Sequence, residues 1–376
     1  MKRVMSTFLA LTLLLSALPA ARALTVYGYS EGLAQCEEAG LWGFATPDGA
    51  AVIPPQYNSV VSFALGMAAV NLGGKLGVIR PDGQYLIPPE YDTLMPIGYG
   101  LYMAQRGSDW GVVSILPYTG ADGKETREVY PITHAGVDVE PRGGVTALVL
   151  HAKGGGETVV PLFRLPTLLA DLGVEGSRFP LTRGKLPQFS DVKPQDWYDL
   201  WVDLSYNTGI MEGKPGNLFD PTGTITVAEV LQMAANMDSR YRGDDFHTNE
   251  HTSTPWYTDA VNYCTARGII APNQFDDYTR VIARWELAQV FAATALAQSL
   301  PQRNDPERVR SAVRDITPDS PAAQAIYALY TKGILTGVDS RLTFRPDTSV
   351  TRAEAAALGA RLARPEQRID LFPDGG

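Results

Sequence analysis

The strongest constraint on this chain is repetition. One phrase recurs three times in the C-terminal half, and recurrence at a steady spacing limits the fold to an array of one supersecondary unit. Its plainest copy runs from Phe344 to Glu354, where the turn-forming Pro346-Asp347 leads into Thr351-Arg352-Ala353-Glu354 and an apolar run. This is a capping box: the Thr351 hydroxyl accepts from the third helical amide, and the Glu354 carboxylate accepts from the Thr351 amide. A helix therefore begins here with Arg352 in its first turn. A cation is unfavourable at a helix N-terminus, so Arg352 points either to a bound anion or to a tolerated exposed charge.

Upstream, Phe219-Asp220-Pro221 precedes Ile225-Thr226-Val227-Ala228-Glu229, and Phe275-Asp276 precedes Ile282-Ala283-Arg284-Trp285-Glu286. Gly209-Ile210, Gly268-Ile269 and Gly333-Ile334 stand ahead of the three copies, spaced by 59 and 65 residues. Trp197 and Trp256 lie twelve residues before the first two glycines, and Pro321 takes that place in the third. Phe189-Ser190-Asp191-Val192 and Val313-Arg314-Asp315-Ile316 open two of the copies.

Periodicity fills in each unit. Val230, Met233, Ala234 and Met237, then Leu287, Val290, Phe291 and Thr294, then Ala355, Leu358, Gly359 and Leu362 form i, i+3, i+4, i+7 stripes, one face of an amphipathic helix. Gly209, Gly268 and Gly333 stand where a helix end calls for a left-handed residue. Each unit reads as helix, glycine-containing loop, helix. Such a unit cannot bury its stripe alone, so three are expected to pack together.

These motifs resemble the S-layer homology (SLH) domain, with its F-x-D-V opening, tryptophan, G-I, F-x-P and I-T-R-A-E. The resemblance covers residues 187–372, divided as 187–240, 241–300 and 301–372. It implies an all-α triplet in a pseudo-threefold prism that binds a pyruvylated secondary cell-wall polysaccharide. It further implies that Arg284 and Arg352 meet the acidic ketal in grooves between units, with Trp197, Trp256, Asp191, Asp315, Gly209, Gly268 and Gly333 as further site residues. The chain departs from the pattern at Val227 for the arginine, Ala283 for the capping threonine and Pro321 for the tryptophan. At most two of three grooves are then equipped. Arg352, with its capping box intact, is expected to matter more than Arg284.

At the N-terminus, Lys2 and Arg3 precede an apolar run from Phe8 to Leu18 and then Ala21-Arg22-Ala23. This is the pattern of a secretory signal peptide over 1–23, too short to remain as a membrane span. The formal charge is −9, from 32 Lys and Arg against 41 Asp and Glu, which argues against nucleic acid or anionic lipid as a partner. Only Cys36 and Cys264 are available for a disulfide. They fall in different repeat systems, and Cys264 aligns with Leu329 in the helical stripe, so a buried thiol is the expected role.

A second repeat fills 24–118, where Gly43, Gly77 and Gly111 recur every 34 residues. Pro47-Asp48-Gly49 returns as Pro81-Asp82-Gly83, and Ile53-Pro54-Pro55-Gln56-Tyr57 as Ile87-Pro88-Pro89-Glu90-Tyr91. Asp-Gly between short apolar runs marks hairpins, and Pro-Pro is expected to end each second strand. The pattern resembles the WG-repeat family, with two good copies and a third begun at Trp110. Residues 119–186 are less regular. Ala147-Leu148-Val149-Leu150 and Thr158-Val159-Val160 predict a hairpin, and 165–172 a short helix before a linker. The Arg178–Pro187 stretch reads as a boundary between independently folding halves.

One enzyme-like motif is present. His247-Thr248-Asn249-Glu250-His251 fits H-x-x-E-H, which needs both histidines on one helical face. Gly243-Asp244-Asp245 and Thr252-Ser253-Thr254-Pro255 flank it with loop residues instead, so neither a metal site nor a cofactor is expected. The alternative for Trp197 and Trp256 is core packing, and for Arg284 and Arg352 an exposed salt bridge. The reading is a non-catalytic, exported wall-surface protein of Gram-positive type. Its β-repeats would serve a protein partner, and its helical triplet would bind the wall polysaccharide. The rivals are a decayed triplet whose β-repeats do the binding, and a wall metallohydrolase using His247 and His251.

Overall fold

The computed structural model describes residues 24–174, 178–179, 189–246 and 252–372. The proposed signal peptide and the His247–His251 motif lie outside the described residues, as does most of the Arg178–Pro187 stretch.

The glycine of the 34-residue repeat sets the N-terminal architecture. Strands β1 (Thr25–Ser30), β2 (Leu33–Glu38), β3 (Leu41–Ala45) and β4 (Ala51–Tyr57) form one antiparallel meander. A second contains β5 (Ser59–Val60), β6 (Ala68–Leu72), β7 (Lys75–Ile79) and β8 (Tyr85–Tyr91). The third is β9 (Thr93–Gly98), β10 (Leu101–Arg106), β11 (Asp109–Thr119) and β12 (Glu125–His134). In all three, the glycine lies on the third strand where the fourth presses against it. A Cβ on Gly43 would stand 2.3 Å from the Ile53 carbonyl oxygen, on Gly77 2.8 Å from that of Ile87, and on Gly111 2.6 Å from that of Tyr130.

The strand register slips at the same three places. This bulge corrects the expectation for Pro-Pro: β4 and β8 run through Pro54-Pro55 and Pro88-Pro89 rather than ending there. At a bulge the ladder is already interrupted, so a residue without an amide hydrogen loses little. Gly77→Ala is expected to cost about 1–3 kcal/mol by overpacking against backbone, measured by chemical denaturation. Unchanged stability would show that the facing strand yields freely.

The third sheet continues past residue 118 to His134. A fourth, of β13 (Gly136–Arg142), β14 (Val145–His151) and β15 (Glu157–Pro161), contains the predicted hairpin, with Leu148 opposite Val160. The core is shared between successive sheets. Phe44, Ile53 and Tyr57 pack with Phe63, Val70 and Ile79, and Val78 and Ile87 pack with Ala104 and Val113. Leu148 and Leu150 receive the short helix α1 (Leu165–Asp171) through Leu165 and Leu169.

The helical half is built on one extensive core, with a smaller cluster of Leu200, Leu204 and Ala360 beside it. Its units contribute α2 (Asp199–Asn207) with α3 (Val227–Arg242), α4 (Thr258–Ala266) with α5 (Arg284–Ala292), and α8 (Ala323–Thr331) with α9 (Arg352–Ala363). The short α6 (Ala295–Ser299) and α7 (Pro306–Ala312) lie between the second and third. Gly209, Gly268 and Gly333 follow the first helices with φ of +68°, +70° and +73°, as their place in the repeat predicts. Packing is between units rather than within them: α2 lies on α9, α4 on α3, and α8 on α5.

The three helix entrances are tied in a ring. Val227 N donates to Arg280 O at 3.0 Å, Arg284 N to Thr348 O at 3.0 Å, and Arg352 N to Gly223 O at 2.8 Å. Cys264 is a buried free thiol that donates to Leu231 O at 3.5 Å, and Cys36 is also buried and free.

The halves touch through buried polar groups. Arg80 Nη1 donates to Glu366 O at 2.9 Å, and Gly32 N to Pro194 O at 2.8 Å. The Glu31 carboxylate binds the Leu65 and Gly66 amides, while the Glu31 amide donates to Asp199 at 3.1 Å.

Candidate functional site

The capping box gives each unit a glutamate with two tasks. Glu354 Oε2 accepts from the Thr351 amide at 2.8 Å, and Glu229 Oε2 from the Thr226 amide at 2.9 Å. The second unit keeps only this half, with Ala283 N donating to Glu286 Oε2 at 2.9 Å. The other oxygen meets an arginine. Arg284 Nη1 reaches Glu354 Oε1 at 2.7 Å, and Arg352 Nη1 reaches Glu229 Oε1 at 2.9 Å. Each arginine begins its own helix but pairs with the glutamate of another unit, and each lies over that unit's phenylalanine, Phe344 or Phe219.

These arginines are not the exposed salt bridges of the simplest reading. Arg284 is 7% exposed and Arg352 4%. Nor are the helix ends open to an anion. The first two amides of each helix donate to neighbouring loops: Arg284 and Trp285 to Thr348 O and Pro346 O, and Arg352 and Ala353 to Gly223 O and Pro221 O. The first two amides are therefore already spent within the protein at both places.

Two clefts form beside the pairs. The first, about 320 Å³, brings together Trp197, Arg284, Glu354, Gly337, Trp201 and Arg361. The second, about 310 Å³, brings together Trp256, Arg352, Glu229, Gly213, Gln232 and Asn236. Each takes its tryptophan from one unit, its arginine from the next and its glutamate from the third. Trp197 is 56% exposed and Trp256 53%, so core packing does not account for them. An exposed indole beside a largely buried guanidinium and a short glycine-containing loop suits an acidic sugar, which offers an apolar ring face and a charged edge.

The same order of units assigns two of the departures to one cleft. A third cleft would take its tryptophan from the third unit, its arginine from the first and its loop from the second. Those positions hold Pro321, Val227 and, in place of Gly213 or Gly337, Pro272. Val227 is fully buried. The vacant arginine role is filled from within the second unit: Arg280 grips Glu286 with two bonds of 2.6 and 2.8 Å and lies over Phe275. Restoring an arginine at Val227 would therefore set a second cation against Arg280 instead of rebuilding a groove.

Other predicted site residues serve the fold. Asp191 accepts from the Phe219 and Asp220 amides at 2.9 and 2.7 Å, and Asp315 from those of Phe344 and Arg345 at 3.0 and 2.7 Å. They clamp the loop that carries the phenylalanine and do not line either cleft. Gly209, Gly268 and Gly333 are likewise turn residues, and the cleft glycines are Gly213 and Gly337. Sequence reading missed these two, and also Trp201, Gln232, Asn236 and Arg361. The available signal was position: Asn236 and Arg361 each stand seven residues after the capping glutamate, two turns along the same helix face. Among the described residues, no group of three or more His, Cys, Asp or Glu is placed to hold a metal ion, and no helix is long and apolar enough to cross a membrane.

Comparison with known families agrees with this division. The S-layer homology domain model matches residues 188–231 and 314–356, and the model of the WG containing repeat matches 42–75 and 77–110. The second helical unit, with its half capping box and internal Arg280, falls outside the matched spans. No curated protein matches the chain. The chain therefore carries S-layer homology domains in its helical half and WG containing repeats in its β half.

Proposed function

We propose that the protein is a non-catalytic, exported surface protein held non-covalently to the cell wall. Its helical triplet, arranged as a pseudo-threefold prism, binds a pyruvylated secondary cell-wall polysaccharide, and its β-repeats face outward toward a protein partner. The observation that carries this reading is the pair of clefts, each with an exposed tryptophan, a largely buried arginine and a glutamate drawn from three units. The ring of backbone bonds between helix entrances supports the prism. The signal-like segment at 1–23 supports export.

A ketal-linked pyruvate offers a carboxylate, which a guanidinium edge meets in a fixed fork that lysine does not reproduce. The whole protein is expected to sediment with cell-wall sacculi that retain their secondary polymer. It should stay in solution once that polymer, or only its pyruvate, is removed. Equal sedimentation with stripped peptidoglycan would refute the reading.

A further inference from the structure

The two clefts are alike in their arginine and glutamate but not in charge. In each, the arginine is matched by a glutamate, so the pair adds no net charge. The Arg352 cleft has Asn236 on the next two turns of its helix, and its Lys214 is held by Asp220. Arg352 also spends its third nitrogen, Nη2, on Glu212 O at 3.0 Å. The Arg284 cleft differs on each point. Arg361 takes the place of Asn236, Val338 that of Lys214, and among the described residues Arg284 donates only from Nε and Nη1.

Arg361 is the unusual group. Its guanidinium lies 4.5 Å from the centre of the Trp201 ring, and Nη1 donates to Ile334 O at 3.1 Å. Among the described residues its Nε is buried without a partner and no carboxylate pairs with it. Burial alone pushes its pKa down to about 10, so it stays charged at neutral pH. A partly desolvated cation without a counter-charge is costly unless an anion joins it. The guanidinium lies over the Trp201 ring, and the side chain lines the cleft with Arg284 and Glu354.

We propose that the Arg284 cleft accepts a glycan bearing two acidic groups, one beside Arg284 and a second oxyanion on Arg361, whereas the Arg352 cleft accepts one acidic group. The inference rests on the acidic-glycan reading above and refines it: the two clefts select different residues of one polymer, or different positions of its substitution. The second acid is an oxyanion, either a uronate carboxylate or a phosphate ester. A charge-assisted contact made by a partly buried arginine is expected to favour the diacid about tenfold or more.

The test is calorimetric titration of the full chain with three synthetic probes. These are a ketal-pyruvylated hexosamine glycoside with one carboxylate, the same glycoside extended by a uronic acid, and the same glycoside bearing a phosphomonoester. Wild type is expected to bind at least one diacid about tenfold or more tightly than the monoacid at one of its two sites, and the uronate and phosphate arms identify the source. Arg361→Gln should reduce that preference to below about threefold, and Arg361→Lys should keep part of it. Far-UV circular dichroism establishes folding, and the wild-type preference stands as a test even if a variant unfolds. Equal binding of monoacid and diacids by wild type would overturn this inference and leave the wall-glycan reading intact. So would a folded Arg361→Gln that keeps the full preference. If none of the probes binds, both fall.

Discussion

Replacing Arg352 with alanine is expected to destabilise the helical half by about 3–5 kcal/mol, the usual cost of removing one partner from a buried ion pair. The side chain makes three bonds: to Phe219 O at 2.9 Å, Glu229 Oε1 at 2.9 Å and Glu212 O at 3.0 Å. It also stacks on Phe219, with the ring centre 5.1 Å away. Alanine would strand two carbonyls and a carboxylate, all belonging to the first unit, and so loosen the joint between the first and third units. Arg284→Ala should cost less, because among the described residues the Arg284 side chain makes two hydrogen bonds, to Phe344 O and Glu354, where Arg352 makes three. Arg280→Ala should cost least, its side chain being 35% exposed and its pair correspondingly screened. Denaturant unfolding followed by far-UV circular dichroism would rank the three. If Arg352→Ala shifts stability by less than about 1 kcal/mol, the arginine is no structural tie. The practical consequence is that loss of glycan binding by these alanine variants cannot be read without a folding control, contrary to the sequence-based expectation of two surface arginines dedicated to ligand.

The second large effect concerns pH and the joint between the halves. Glu31 is 6% exposed, and burial raises its pKa to about 7, with Asp203 and Asp199 of α2 adding to the shift. The amides of Gly66 and Leu65 oppose it. The folded state thus holds a proton that the unfolded chain releases near the ordinary glutamate value of 4.5. A folded-state pKa above the unfolded one means that stability is greatest below pH 4.5 and declines as pH rises toward 7. A shift of this size corresponds to about 3 kcal/mol.

Comparison of wild type with Glu31→Gln at pH 5 and pH 8 isolates this group from every other titration. The difference in unfolding free energy should move by about 3 kcal/mol in favour of the glutamine variant on going to pH 8. Parallel pH profiles would mean that the carboxylate is solvated in solution and the joint open. This coupling also bears on the expectation of independent halves. With Glu31, Asp199 and Arg80 buried across the contact, the β half is seated on the helical half, whatever linker joins them.

What could be read from residues in order was whatever depends on neighbours in order. Thr351 and Glu354 cap a helix because they are three residues apart, and Gly333 ends one because a left-handed turn suits glycine. Asp48-Gly49 and Asp82-Gly83 turn hairpins for equally local reasons. The Pro-Pro bulge was misread because its cause lies on the facing strand, in the missing Cβ of Gly43 and Gly77. Asp191 and Asp315 were taken for ligand residues because a motif does not say which amides a carboxylate will meet.

The clefts lie furthest from sequence logic. Trp197, Arg284 and Glu354 come from three units and share a wall only because α2 packs on α9 and the helix entrances exchange backbone bonds around a ring. Periodicity specified which face of each helix is apolar. It did not specify which neighbour would cover that face, because burial of apolar surface is non-directional. That choice, made by the packing of three units at once, buried Val227 in the core, gave Glu286 to Arg280 and set Arg361 in the wall of the Arg284 cleft.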